Sequence, residues 1–576
     1  MQPTSLEIAT RTLGKGRFMA ELLFKGLSFW ARRSHAAFLK KTSQTERVQT
    51  NFLRSLLKHH QHTIYGQEHQ FQDIATIEQY QERVLVKPYR HFDPYIDRMA
   101  NGESNVLVAD PLIFMNMTSG STGKKKLIPV TQRSRRAVAA ATQTALGFVS
   151  TAAQQQHRPL GQMLYSGSAK ATGTTPGGIT YGPVSTGDLK LSSSLYRQVF
   201  AYPFDALQVS SIQDRSYLCM LFALSQPQLK VISATFPILA LRLAQDLDAW
   251  SNYLLHDLET GEISHQLKLD PALRDRLERQ WRAHPQRAET LRKSQHTHGT
   301  LTPIGAWPHL SFIITARGGT SDVYFERFPD YFGDTPVFGG TYASAEATYG
   351  IHRGFNTDSV MLALESGFYE FIPEDQWDVE NPKTVLPWNV TVGDRYRIVV
   401  TNYSGFYRYD VGDVVEIEGF TGTTPRFIFR YRYGGMISAS TEKTTEFHVT
   451  QVMQRLQKSF HLKLENFCVT LSEDLVRPHY WVNIELASGY QLDDPTAFIQ
   501  AFDAELKDVH FSYQVKRKDQ VPPPKLRILA HGSFEQLRQR MVNQGVSEVQ
   551  IKFPLVSENR TLLSDLVVEA EAGCEP

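Results

Sequence analysis

Between two apolar stretches, Leu112 to Met117 and Leu127 to Val130, the chain reads TSGSTGKKK from Thr118 to Lys126. Apolar run, glycine- and hydroxyl-rich loop, apolar run spells strand, loop, strand. A Walker loop needs GxxxxGK[ST] between a strand and a helix, so that a helix N-terminus and backbone amides hold phosphate together. Here Gly120 and Gly123 are three apart, Thr118 stands five before Gly123, Lys125 follows Lys124, and a strand comes next. Spacing and context both exclude the Walker class. What is left is a flexible turn of amides and hydroxyls beside lysines, suited to a mobile polyphosphate. An ordinary surface loop has the same composition, so the loop alone leaves both readings open.

With 576 residues the chain is long enough for two to four units at about 100–200 residues per domain. Its 41% hydrophobic and 21% charged residues are those of a globular protein. A net charge of +2, without a long basic stripe, gives no footprint for nucleic acid. Cys219, Cys468 and Cys574 are far apart and show no CxxC spacing, so neither a disulfide framework nor a zinc site is readable and a cytoplasmic setting is expected. The apolar segment Phe18 to Trp30 is interrupted by Glu21 and Lys25, and no signal-peptide cleavage pattern follows. It reads as a helix packed on the main body, with reversible membrane contact as the alternative and no stable insertion.

Residues 1 to 110 read as mostly helical, with Leu53, Leu56 and Leu57 at helical spacing. The HHQH at His59 to His62 ends that helix; no carboxylate or cysteine stands at a metal-ligand spacing, and the helix dipole alone favours histidines there. A helix is expected over Ser134 to Phe148. The middle of the chain alternates β-rich runs (Leu310 to Ile314, Ile398 to Thr401) with helical stretches, the pattern of an α/β body. Pro271 to Lys293 reads as one half-exposed helix. After Arg432 come a helix (Thr445 to Leu456), strands (Phe467 to Leu471, Tyr480 to Leu486), a helix (Thr496 to Leu506), KLRILA and a helix (Phe534 to Asn543), which together make an α+β unit. The expected division is therefore 1–432 and 433–576. The acidic tail after Leu566 is expected to fray, and no oligomer is predicted.

Three further segments carry chemistry. GGTYASAEATYG, Gly339 to Gly350, sets Tyr342 in a glycine-flanked turn with Glu346 four residues on. An aromatic face can stack on a purine while a carboxylate helps hold Mg²⁺ on phosphate oxygens. YRYDVGDVVEI follows the apolar strand IVVTN and is expected to present Asp413 from a turn at the strand end, placed to accept hydrogen bonds from ribose hydroxyls. Gly393 and Asp394 read as a plain hairpin turn. VQIKFP places Lys552 near the C-terminus, a surface residue unless its domain reaches the nucleotide.

In this order, these segments resemble the adenylate-forming superfamily that includes acyl-CoA synthetases and firefly luciferase. YASAE, YRYDVGD, TEKTTE (Thr441 to Glu446) and VQIKFP, with HTIYG (His62 to Gly66) and PYIDRMANGE (Pro94 to Glu103), are similar to the auxin-responsive acyl acid amido synthetases of plants and their bacterial relatives. The resemblance runs from about residue 50 to 565. It implies a large multi-sheet adenylate-forming N-terminal domain with a smaller mobile C-terminal domain. It also implies two steps: a carboxylic acid attacks the α-phosphate of ATP to give an acyl-adenylate and pyrophosphate, and an amino acid then takes the acyl group as an amide, releasing AMP. The roles implied are Ser119, Gly120, Ser121, Thr122 and Gly123 with Lys126 for phosphates; Thr341, Tyr342, Ala343 and Ser344 for adenine; Glu346 for Mg²⁺; and Asp413 for ribose. Arg432 matches the arginine before the hinge, with a surface salt bridge as its alternative, and Lys552 matches the C-terminal lysine that reaches the adenylation site.

Three positions depart from that pattern. Asp410 and Leu555 stand where the plant enzymes usually carry arginine, and Ala345 where serine is common. The first two put the acceptor, more than the adenylation step, in question. TSGSTG is the acyl-CoA synthetase form of the loop, so a thiol acceptor is the alternative enzyme, and a nucleotide-binding module without turnover is the alternative of another class. The acid's pocket is expected from the helix after the loop, Tyr165 to Gly178, and Ser233 to Leu241, whose apolar and small residues favour an apolar or aromatic acid.

Overall fold

A computed structural model describes residues 24–119, 125–165, 167–190, 198–433, 435–440, 442–474, 477–518, 520–543 and 551–573. The N-terminal body is built on three sheets. In the first, β1 (Leu112–Ser119) and β2 (Lys125–Thr131) form an antiparallel pair in which Thr118 faces Lys126; β5 (Thr180–Gly182) runs parallel to β1, and β4 (Gly173–Thr174) closes the edge. Strand, loop and strand are as read from the sequence. The loop residues Gly120, Ser121, Thr122 and Gly123 lie outside the described residues, as does the side chain of Ser119. Thr131 then caps the helix Gln132–Gln155 through a reciprocal box with Ser134, which satisfies amides that the first turn leaves open.

The second sheet is wholly parallel, in the order β3 (Met163–Tyr165), β6 (Val231–Ser233), β7 (Phe312–Ile314), β8 (Val337–Phe338). Helices such as Ile212–Leu224 and Pro237–Ala249 carry the crossovers, and their leucines, with Trp307 and Phe332, bury a core around this sheet. The register sets Tyr165, Ser233, Ile314 and Phe338 in one row at the carboxyl edge. In open α/β sheets that edge is where ligands bind.

From β8 the chain crosses directly into a seven-stranded antiparallel sheet, ordered β12 (Phe368–Pro373), β13 (Arg395–Thr401), β14 (Tyr409–Thr421), β15 (Thr424–Arg432), β11 (Val360–Leu362), β10 (Thr348–His352), β9 (Thr341–Ala343). Two glycines make the crossing possible. Gly340 has φ +66°, and a Cβ on Gly339 would lie 2.3 Å from the His352 ring. The helices Thr45–His60, Ile64–Glu68 and Ile77–Arg83 pack on this sheet through Leu53, Leu56, Tyr65 and Tyr80.

After the short antiparallel pair β16 (Met436–Ile437) and β17 (Thr444–Thr445), the chain builds a further sheet, β21 (Val556–Ser557), β18 (Leu464–Leu471), β19 (Tyr480–Leu486), β20 (Lys525–Leu529), β22 (Val568–Gly573), around an apolar core that includes Val452, Phe467, Val482 and Phe502. Among the described residues four ion pairs hold this C-terminal unit to the N-terminal body: Arg327 to Glu465 at 2.8 Å, Lys463 to Asp330 at 2.6 Å, Arg242 to Glu535 at 3.1 Å, and Lys443 to Asp378 at 3.4 Å.

Several local expectations change. The segment expected to form one helix from Pro271 to Lys293 is two helices, Pro271–Gln280 and Pro285–His298, because Pro285 cannot donate into a preceding turn. The tail after Leu566 is not frayed over its described residues: β22, Val568–Gly573, pairs antiparallel with β20, and Ala572 packs against the core. Gly393, φ +89°, turns the chain into β13 from a short 3₁₀ segment (Pro387–Asn389), so the turn joins no hairpin.

The HHQH segment gains a carboxylate that its spacing concealed. His59 Nε2 lies 2.7 Å from Asp110 Oδ2, across 51 residues of sequence. His60 Nδ1 accepts the Ala109 amide at 3.0 Å, which leaves the proton on Nε2 and no lone pair for a metal. Arg133, 3.5 Å from Asp110, already supplies positive charge. Burial, reinforced by the His59 charge, pushes the His60 imidazole down to about 3 from 6.5. A histidine held neutral in the fold contributes stability above its unfolded pKa and loses it as the pH falls below 6.5 toward that depressed value. We expect His60→Gln, which keeps an acceptor for Ala109, to flatten the fall of the melting temperature between about pH 6.5 and 4. An unchanged acid limb in that variant would contradict the assignment.

Candidate active site

The site assembles where the parallel sheet hands over to the antiparallel one. Tyr342 lies on β9, and its hydroxyl donates to Asp413 Oδ2 at 2.6 Å. Its ring packs against Phe429 and Tyr349, with centroids at 5.4 and 5.1 Å. Asp413 is not on a turn at the end of the IVVTN strand as expected. It is the fifth residue of β14, one step past Gly412 (φ +79°), where the pairing of β14 with β13 is irregular. Burial raises its carboxyl above the usual range, against the pull of Arg432, Tyr342 and Lys552.

Glu346 sits in the turn after β9. Its Oε2 accepts from Ser344 Oγ at 2.7 Å and its Oε1 from the Tyr409 hydroxyl at 3.3 Å, while Asn402 Nδ2 donates to its backbone carbonyl at 2.8 Å. Each carboxylate oxygen keeps a further lone pair. One hard oxygen donor of this kind suits a magnesium ion that brings phosphate and water as its other ligands. Thr341 and Ala343 belong to the same strand and share this edge.

Three cations face these carboxylates. Lys126, on β2, lies with its Nζ 4.7 Å from the centroid of the Tyr89 ring. Tyr89 in turn clamps that strand, donating to Leu127 O at 2.8 Å and accepting from Leu127 N at 3.1 Å. Burial lowers the Lys126 pKa; Glu346 and Asp93 work against that shift and Arg432 adds to it. Arg432 pairs in register with Asp413, donates to Val411 O at 2.9 Å and holds its Nε 3.9 Å from Asp413 Oδ1. Lys552 reaches the same place from the C-terminal segment, with Nζ 5.8 Å from the Phe429 ring, and its own segment lies against Phe236, Pro237 and Tyr324.

Thus Lys126, Tyr342, Ser344, Glu346, Asp413, Arg432 and Lys552 come together from β2, β9, β14, β15 and the C-terminal segment. Of the departures, Asp410 pairs with Arg397 at 3.4 Å, and Leu555 is buried in the C-terminal core. A pocket opens at the carboxyl edge of β3 and β6, lined by Tyr165, Ser233, Ala234, Thr235 and Leu239, with Arg242 and Asp246 at its side.

Sequence reasoning missed Tyr89, Tyr409 and Arg408. The last lies inside the YRYD motif and adopts φ +47°. Its guanidinium forks onto the Glu370 carboxylate with two contacts of 3.0 Å and donates to the carbonyls of Gln81 and Val84 at 2.8 Å. Arg408 and Glu370 are both buried. The motif's regularity was the available signal; the partners lie too far along the chain to be read.

Among solved structures, a 2-hydroxyisobutyryl-CoA ligase in its postadenylation state shares the fold with a TM-score of 0.54, at 12% identity over 90% of each chain. The architecture is that of the adenylate-forming enzymes, a large α/β N-terminal domain followed by a smaller C-terminal one. A second, the GH3.15 acyl acid amido synthetase, superimposes with a TM-score of 0.81, at 21% identity over 93% of this chain and 96% of the other. The indole-3-acetic acid-amido synthetase GH3.3 of Arabidopsis thaliana is 23% identical over 89% of both chains. The model of the GH3 family N-terminal domain matches residues 34–337, that of the central domain 360–432, and that of the C-terminal domain 447–561. The chain belongs to the GH3 family.

Removing one partner of a buried ion pair strands the other charge, at a cost of about 3–5 kcal/mol. We therefore expect Arg408→Met to lower the first thermal transition by several degrees and to admit protease into residues 77–92. A variant as stable as the wild type would show that the Arg408–Glu370 pair does not anchor the sheet.

Proposed function

We propose that this chain is an ATP-dependent acyl acid–amido synthetase, which activates a carboxylic acid as its adenylate and passes the acyl group to an amino acid. The observation that carries the reading is the arrival of Lys552, from the far end of the chain, at the Phe429 ring and within electrostatic reach of Asp413, in a site where Lys126 is within electrostatic reach of Glu346. Family membership and the amide-forming activity in the relatives' names support the same reaction class.

Each residue then has work matched to its surroundings. Lys126 and Lys552 oppose the charge that builds on the α-phosphate as the carboxylate attacks, and interactions stronger in the transition state than in the ground state are those that accelerate the step. Asp413, aligned by Tyr342, accepts from ribose hydroxyls; the Tyr342 edge and Thr341 to Ser344 frame the adenine. Glu346 would hold Mg²⁺, which neutralises phosphate charge when bound. Residues Ser119 to Gly123 would wrap the outer phosphates. The acid would occupy the cavity at Tyr165 and Ser233 to Leu239. Residues 1–432 and 433–576 act as two units in this scheme. Rotation of the second would break its ion pairs to the body and free the cleft for the acceptor. The protein is expected to act in the cytoplasm.

A thiol acceptor remains the competing reading, favoured by the form of the loop. Carboxylate-dependent exchange of labelled pyrophosphate into ATP is expected, and mass analysis of products formed with amino acids or coenzyme A identifies the acceptor. Lys126→Ala and Asp413→Ala should each lower exchange by at least roughly tenfold, the scale of one lost charge-assisted contact. No exchange across a broad panel of acids would overturn the reaction class, and wild-type exchange in both variants would overturn the site.

A further inference from the structure

We propose that the outer face of the helix over residues 24–41 docks on an anionic lipid bilayer. The inner face of this helix is fixed. Ala31 and Phe38 are buried, the His35 ring lies 4.0 Å from that of Phe148, and a Cβ on Gly147 would come within 2.4 Å of the Ala31 carbonyl. The helix is thus pressed onto Gln132–Gln155, and only its other face is offered to the surroundings.

That face has a definite chemistry. Lys25, Phe29, Arg33 and Lys40 follow one another at helical spacing and are exposed, and Trp30 stands beside them. Phe29 is 61% exposed and Trp30 50%, unusual for such large apolar side chains. Residues 24–41 contain five basic residues and no acidic one, although the whole chain carries only +2; the rest of the chain is net acidic. Two of the five are engaged: Arg32 with Ser28 and Gln154, and Lys41 with Glu365. Lys25, Arg33 and Lys40 make no ion pair among the described residues.

Aromatic side chains in line with unpaired cations on one helix face are the composition of an interfacial helix, whose rings settle at headgroup depth while its cations meet acidic lipid. The stripe lies on the outer face of one helix and contributes nothing to the pocket at Tyr165 and Ser233, so it gives a protein partner little to enclose, whereas a bilayer requires no matching shape. No described helix is long and apolar enough to cross a membrane, so the contact is with the surface. Two rings and three cations make it weak, reversible and sensitive to salt.

The test uses the full chain with vesicles of phosphatidylcholine alone or with about 30 mol% phosphatidylglycerol. Sedimentation at low salt should show at least roughly fivefold more protein on the anionic vesicles. Phe29→Ser with Trp30→Ser, Lys25→Glu with Arg33→Glu, and about 0.5 M salt should each bring binding down to the phosphatidylcholine level. Wild-type fluorescence should shift to the blue on anionic vesicles, and Trp30→Phe should remove that shift. Unchanged melting temperatures show that the variants are folded. Equal binding to both vesicles, retention of binding by either double variant, or capture by an acidic polypeptide without vesicle binding would each overturn the proposal.

Discussion

The Arg408–Glu370 pair is the joint on which the N-terminal body turns. Glu370 belongs to the edge strand β12, and Arg408 to the loop that returns the chain into β14. One guanidinium binds that carboxylate and also the carbonyls of Gln81 and Val84, so a single planar group ties the N-terminal helices to two strands of the sheet. An arginine held at φ +47° with its charge out of water would be unfavourable alone. Bidentate geometry and backbone acceptors together offset that cost. Arg408 turns the chain into β14, and Tyr409, the first residue of that strand, donates to Glu346.

A second constraint follows from the meeting of two sheet types. Parallel strands end in one row at Tyr165, Ser233, Ile314 and Phe338, and the antiparallel sheet begins three residues beyond Phe338. The short Gly339–Gly340 crossing leaves no slack, which fixes Tyr342 and the Glu346 turn at the carboxyl edge. Loops of a parallel sheet and a strand of an antiparallel one therefore line the same cleft, with apolar walls on one side and charged groups on the other.

How much of this was legible in the sequence depended on how far apart the interacting residues lie. Lys126, Glu346, Asp413 and Lys552 could be named because short motifs mark them and their order matches a family. The α/β alternation and the strands around Tyr480 and Phe467 were visible as local periodicity. Tyr89 on Leu127, Asp110 on His59 and Glu370 on Arg408 join segments that no local pattern connects. Two misreadings had signals in plain view. Pro285 interrupts the supposed long helix, and Val568, Ala570 and Ala572 alternate with Glu569 and Glu571 as an edge strand does. The acidic composition of the tail obscured that alternation.

The way the two site carboxylates are held bears on how the site treats a nucleotide. Glu346 takes hydroxyl donors from Ser344 and Tyr409, and Asp413 takes one from Tyr342; the shortest ionic approach, Arg432 to Asp413, is 3.9 Å. Neutral donors fix the positions of the carboxylates without spending the lysines. Lys126 rests instead on the face of Tyr89 and Lys552 near the face of Phe429, contacts of a kind that give about 0.5–2 kcal/mol and are readily exchanged for phosphate oxygens. Had the lysines been locked into tight pairs with Glu346 and Asp413, an incoming triphosphate would have to break each pair before gaining either cation, leaving buried carboxylates uncompensated. Hydroxyls on the anions and aromatic faces under the cations keep both sets in place and available, which is the arrangement that a reaction at a phosphate between them requires.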